Sequence, residues 1–397
     1  MKPLRRLAAL ALACLALTSC ATTGDAPRGY FYRVPPGQTF DFATARVIGP
    51  EAQAERLADV RLLFLGEQHA HLLSHSAQLE VLRLLKSQGR AITVALEMLP
   101  DSTNEALEAW RLGSLDEAEF LERSNWYDNW GHPWRAYREL FLWLRENRIP
   151  TRGVNVDHTA RAAVRKGDLS TLPEALRKEA GDLDAILEPH RDYLLDTLRE
   201  TGHAGEIRLD SPTFRSMLRV QTLWDRIMGG RAAKLALSQP PEGIVVALIG
   251  SGHLVWRLGA NLRAAQAGLL RQLSLWDSTV ARSQLDLAGR APVSVGISDW
   301  ARIYVAEDAP RGFPALRGFE LRPEAGGVAV ASRSPFSPPY TRSIQAGDVI
   351  VSVMGRAVRS AAGLRMEFEA LAWDAPAEVA IVRAGQPLTL TLRPARH

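Results

Sequence analysis

The chain has 397 residues and a formal charge of +4, with three positive residues (Lys2, Arg5, Arg6) at its very start, so the rest is close to neutral. No basic stripe is interleaved with aromatics, which excludes nucleic acid as a partner. Apolar residues make up 46% of the sequence, enough for sizeable cores, and about 375 residues beyond the leader imply more than one domain.

The leader, MKPLRRLAALALACLALTSC, carries an apolar stretch too short for a comfortable membrane span. Its end, Leu17-Thr-Ser-Cys20, resembles a bacterial lipobox, in which Cys20 takes the lipid and the peptide before it is removed. The plain alternative is an ordinary secretory peptide with an incidental cysteine. With Cys14 removed and Cys20 lipidated, no thiol is left for a disulfide, a zinc-thiolate site or a cysteine nucleophile. No Asp follows Cys20, which favours an outer-membrane protein facing the periplasm. The leader is therefore read as 1–19. Residues 20–42, rich in Pro, Gly and Thr, are read as a lipid-anchored tether.

From 43 to 305, strand-like and helix-like segments alternate, which predicts an α/β domain with a mostly parallel sheet flanked by helices. Apolar runs at 61–65, 92–96 and 244–249 predict strands buried on both faces, and a shorter one falls at 153–156. Helices are predicted near 72–88, 134–147 and 254–266. The helical stretch at about 173–236 is too long for a simple crossover and predicts a helical subdomain. After a linker at 306–314, short strands at 318–321, 327–330, 348–353, 377–382 and 388–392, with one helix at 360–372, predict a small β-rich domain over 315–397.

Polar residues gather where the apolar strands end. Gly66-Glu67-Gln68-His69 follows the first, Glu97 the second, and Gly252-His253 the third. The carboxyl ends of parallel strands are where open α/β sheets hold their ligands. Two imidazoles and two carboxylates there suit proton transfer or a divalent metal such as manganese or zinc. His69, Glu97 and His253 are the candidate metal ligands, and Glu67, His69, Glu97 and His253 the candidate catalytic set of a metal-dependent hydrolase. Taken singly, each fits a plain role: a helix-capping Glu67, a turn His69, a helix-start His253. His71 and His75, one helical turn apart, either line the same pocket or mark an exposed helix start.

Residues 125–137, with Trp126, Trp130, Trp134 and Tyr137, form an aromatic-rich segment suited to a flat ligand or simply to a core. Pro133 before Trp134 marks a helix start. A tyrosine phenolate is an anionic ligand for ferric haem.

Gly66-Glu-Gln-His69, Ala95-Leu-Glu-Met98, Trp134-Arg-Ala-Tyr137, Gln221-Thr-Leu-Trp-Asp225 and Gly250-Ser-Gly-His253 occur in an order that resembles the ChaN-like haem-binding lipoproteins, related to Tiki-type proteases and erythromycin-esterase-like enzymes. The resemblance covers about 45–280. It implies a lipid-anchored α/β protein that binds haem for iron acquisition, with two haems held between the protomers of a homodimer and tyrosine on the iron. Tyr137 is then the expected ligand, Trp134 flanks the ring, and His69, His71, His75 and His253 supply secondary contacts. The family often continues Gly-Glu-x-His with Asp-Asn-Pro and a His pair. Here Ala70-His71-Leu72 and Ser74-His75 stand instead, which leaves the ligand set open. A metal-dependent hydrolase and a non-enzymatic scaffold are the rival readings.

Residues 315–395 resemble a PDZ domain of the bacterial protease-associated type. Leu316-Arg317-Gly318-Phe319 looks like its carboxylate-binding loop, which implies capture of a protein C-terminus by strand addition. Pro335-Phe-Ser-Pro-Pro-Tyr340 replaces the family's small Ala-rich segment.

Overall fold

The computed structural model describes residues 31–198, 210–309 and 312–394. Cys20 and the leader lie outside the described residues. The chain divides into two compact units: residues up to Asn104 with Ile149–Pro310, and Glu105–Arg148 with those from Arg311 on.

In the first unit the strands are β1 (Phe31–Val34), β2 (Thr39–Asp41), β3 (Arg46–Ile48), β4 (Leu62–Glu67), β5 (Ala91–Pro100), β6 (Thr151–Asn155), β7 (Gly243–Gly250), β8 (Gln272–Val280), β9 (Ala291–Ser294) and β10 (Trp300–Val305). An eight-stranded sheet runs β3-β2-β10-β8-β4-β7-β5-β6, parallel from β10 to β6, while β1 pairs with β9. Every residue of β4 and of β7 is buried, as strands covered on both faces must be. Alternate side chains go to opposite faces. Leu62, Phe64, Ala95, Val245 and Ala247 pack under Met228, Ala232, Ala233 and Ala236 of helix Pro212–Ser238. The small alanines let this helix lie close to the sheet. Each large side chain among them contributes about 1.5–3 kcal/mol through burial.

Strand order places the site. The chain leaves β4, builds β5 and β6, and then returns β7 between β4 and β5. Glu67 stands beside Gly250 in register, and Leu96 beside Leu248. The polar ends of three strands distant in sequence thus become neighbours at a point of strand-order reversal.

Three expectations are corrected. Residues 31–42 are not simply tether: β1 and β2 belong to the first unit, fixed by Tyr32, Phe40 and Phe42, whose rings lie 4.9–5.7 Å apart. The helix expected over 254–266 is two short turns, Ser251–His253 and Val255–Arg257, before helix Ala260–Gln266, because Trp256 takes φ 46°. Residues 105–148, expected within the α/β domain, group with the C-terminal region.

In the second unit, β11 (Phe319–Glu324), β12 (Gly327–Arg333), β13 (Val349–Val353), β15 (Ala377–Arg383) and β16 (Gln386–Leu392) form an antiparallel sheet, with β14 (Arg356–Ala357) on β13. Helix Ala361–Glu369 closes its core through Leu364 and Phe368. Helices Glu117–Arg123 and Trp134–Glu146 pack on that helix. Their own core is aromatic: Trp110, Phe120, Trp126, Trp134 and Phe141 meet at ring separations of 4.9–6.1 Å. Among the described residues no helix is long and apolar enough to cross a membrane.

Candidate functional site

At the carboxyl edge of the first unit's sheet, acids and imidazoles are paired one against another. Glu67, 2% exposed at the end of β4, accepts from His69 Nδ1 at 3.1 Å and from Gln78 Nε2 at 3.1 Å. His75 Nε2 lies 3.5 Å from Oε2, the oxygen that Gln78 bonds. Burial alone would raise the Glu67 pKa, but the His75 and His69 imidazoles hold it well below the usual carboxylate range. His69 is shifted upward, its Glu67 hydrogen bond and the Glu97 charge outweighing burial.

Glu97, on β5, accepts from the Gly250 amide, and its other oxygen stands 3.4 Å from His253 Nε2. His253 Nδ1 reaches Asp225 Oδ1 at 2.6 Å. Although burial opposes charge, these two acids raise the His253 pKa to about 10. Gln221, one turn before Asp225 on helix Pro212–Ser238, donates to Asp225 at 3.3 Å. His190 Nε2 stands 3.8 Å from Asp225 Oδ2 without a hydrogen bond, and burial lowers its pKa. On the far side, Ser251 Oγ donates to Asp277 at 2.7 Å, and burial pushes the Asp277 carboxyl up to about 7.

Gly250 holds the centre open. A Cβ there would stand 2.8 Å from His69 Cε1 and 3.4 Å from Glu97 Oε2, so only glycine lets the imidazole lie across the end of β7.

Glu67, His69, Glu97 and His253 therefore meet at the strand ends, and His75, which the sequence left between this pocket and an exposed helix start, joins them buried beside Glu67. His71 lies beside them: its Nδ1 caps helix Leu72–Ser87 by accepting from Ser74 N, its ring is 5.3 Å from Tyr304, and its Nε2 has no hydrogen-bond partner. Burial and the neighbouring His75 lower its pKa. Sequence reasoning gave no role to Asp225, Asp277, His190, Gln78 or Ser251. The Gln221/Asp225 spacing on one helix was the available signal for the first.

Tyr137 and Trp134 belong to the second unit. Tyr137 is 0% exposed, with Trp126 at 5.4 Å and Trp130 at 6.0 Å, and Trp134 Nε1 donates to Glu117 at 2.8 Å. In the alternative metal set of His69, Glu97 and His253, His253 Nε2 stands 3.4 Å from Glu97 and its Nδ1 is taken by Asp225. Among the described residues no group of three or more His, Cys, Asp or Glu side chains is placed to hold a metal ion.

A family model described as "Haem-binding uptake, Tiki superfamily, ChaN" matches residues 53–263, more than half of the chain. Among solved structures, ChaN of Campylobacter jejuni, a protein with cofacial haem binding, matches at 18% identity and TM-score 0.51, covering 66% of this chain and 95% of that one. A mutant erythromycin esterase in its open conformation matches at 12% identity and TM-score 0.37, over 62% and 78%. The HtrA3 PDZ domain bound to a phage-derived ligand matches at 24% identity and TM-score 0.17, over 19% and 82%. No curated protein matches.

Proposed function

The chain belongs to the ChaN haem-binding-uptake family of the Tiki superfamily, and from that premise we propose that it binds haem for iron acquisition or haem handling, as a lipid-anchored protein facing the periplasm. Family membership across the whole strand-end cluster carries the reading.

The residues at the sheet edge fit the group. A haem-ligating imidazole is usually oriented by a carboxylate on its other nitrogen. His69 meets this description: Glu67 holds its Nδ1, and its side chain is 36% exposed, the most open of the paired imidazoles. His71 adds an Nε2 without a partner. His69 and His71 would hold haem through such donors, the group would supply a Lewis-acidic ferric iron, and the proposed role of this chain is to hold it without turnover. Tyr137 fits by chemistry as an anionic oxygen ligand, but it is fully buried, with the Trp126 and Trp130 rings against its own.

Spectral titration of ferric haem into the parent, His69→Ala and Tyr137→Phe separates the two ligands. An imidazole site loses affinity in the first variant and keeps its spectrum in the second. A phenolate site loses its charge-transfer features in Tyr137→Phe alone. The second unit is proposed to dock the C-terminus of a protein through the loop Leu316-Arg317-Gly318-Phe319, a reading supported by the antiparallel sheet that leaves β11 at its edge.

A further inference from the structure

We propose that the segment between β5 and β6 reads the last side chain of the captured peptide, an inference that rests on the peptide-docking reading above. β11 pairs with β12 along one edge and with no strand along the other among the described residues. A strand added antiparallel to β11 runs its carboxyl end toward Phe319 and the loop before it.

A cavity of about 340 Å3 waits at that end. Arg317 and Gly318 line it, helix Ala361–Glu369 contributes Arg365, and the inserted segment adds Tyr127, Asp128 and His132. Gly318 takes φ 72°, and a Cβ on it would stand 2.9 Å from both Ser334 Cβ and Ser337 Oγ, so the turn needs glycine. That turn exposes main chain to the cavity where a terminal carboxylate would lie.

The charges agree. Arg317 and Arg365 supply two guanidinium groups against the single exposed carboxylate of Asp128. Glu369 is turned to other work: it accepts from the Tyr127 hydroxyl and from the Arg135 amide, both at 2.9 Å. Arg365 binds the parts together. It donates to Leu316 O at 2.6 Å and Phe319 O at 3.0 Å, and its guanidinium lies 5.2 Å from the centre of the Tyr127 ring. The inserted segment is thereby fixed to the loop, and the final side chain of a peptide meets Asp128 and His132. Asp128 favours a last residue with a cationic tip and disfavours an acidic one.

The experiment uses the full mature chain and fluorescent peptides that differ only in their last residue, each as free acid and as amide. The parent is expected to bind free acids about tenfold or more tighter than amides, the effect of one charge-assisted contact. It is also expected to rank Lys-ended above Asp-ended peptides. Asp128→Ala, at an exposed position, should shrink that Lys-over-Asp ratio about fivefold or more while the acid-over-amide ratio stays. An unchanged last-residue ranking in both Asp128→Ala and His132→Ala, with the acid preference intact, overturns the role of the inserted segment. Equal binding of acid and amide by the parent overturns the docking reading itself.

Discussion

Glu369 illustrates how one buried acid sets a local pH response. Tyr127 and the Arg135 amide offer it hydrogen bonds, which favour the carboxylate, yet burial dominates and pushes its carboxyl up to about 7. The unfolded chain ionises this group near its ordinary value, so the unfolded state loses its proton first as pH rises. Stability in the second unit is therefore fully present below about pH 4.5 and lost on the way to about pH 7, by on the order of 3 kcal/mol. Glu369→Gln keeps the neutral shape and should gain on the parent as pH rises from 5 to 8. Urea midpoints of both proteins at the two pH values check this, and an equal difference at both would refute it. At the same scale, sequence spacing made Glu67, His69, Glu97 and His253 visible, because each follows an apolar run. Of the two acids that raise the His253 pKa, Asp225 was not visible in that way. Asp225 sits in a helix far from any strand end, and only the packing of Pro212–Ser238 over β7 brings it to 2.6 Å.

At the scale of elements, the strands of the first unit most legible in advance were those buried on both faces. β4, β5 and β7 announce themselves as mostly apolar runs, whereas β8 interleaves Ser274, Asp277 and Ser278 and carries one of the buried acids of the site. Polar residues inside a buried strand erase the signal used to find it. Helix Glu117–Arg123 offers a direct test of local control. Asp116 accepts from Glu119 N at 2.9 Å, and Glu119 returns the bond to Asp116 N at 2.8 Å. Asp116→Ala leaves the Glu119 amide without its side-chain acceptor and should cost about 0.5–2 kcal/mol. Because that helix packs on Ala361–Glu369, the loss should appear in the unfolding of the second unit. A variant with the parent's denaturant midpoint would contradict this.

At the scale of the whole molecule, the sequence order of domains was misleading in one respect. Residues 105–148 interrupt the α/β pattern between β5 and β6, yet Tyr127 and Arg135 bond to Glu369, more than 200 positions away. No periodicity reports such a return. The proposed anchor is testable apart from the fold: Cys20→Ser should abolish lipid labelling and release the protein from the membrane fraction, and undiminished acylation would end that idea. The central claim is haem binding at the sheet edge of the first unit, and ferric haem titration of the purified protein tests it most directly. The account predicts a saturable Soret band, with affinity lowered about tenfold or more in His69→Ala because the variant removes an iron donor. A titration without saturation, or an isotherm and spectrum identical in parent and His69→Ala, would contradict it.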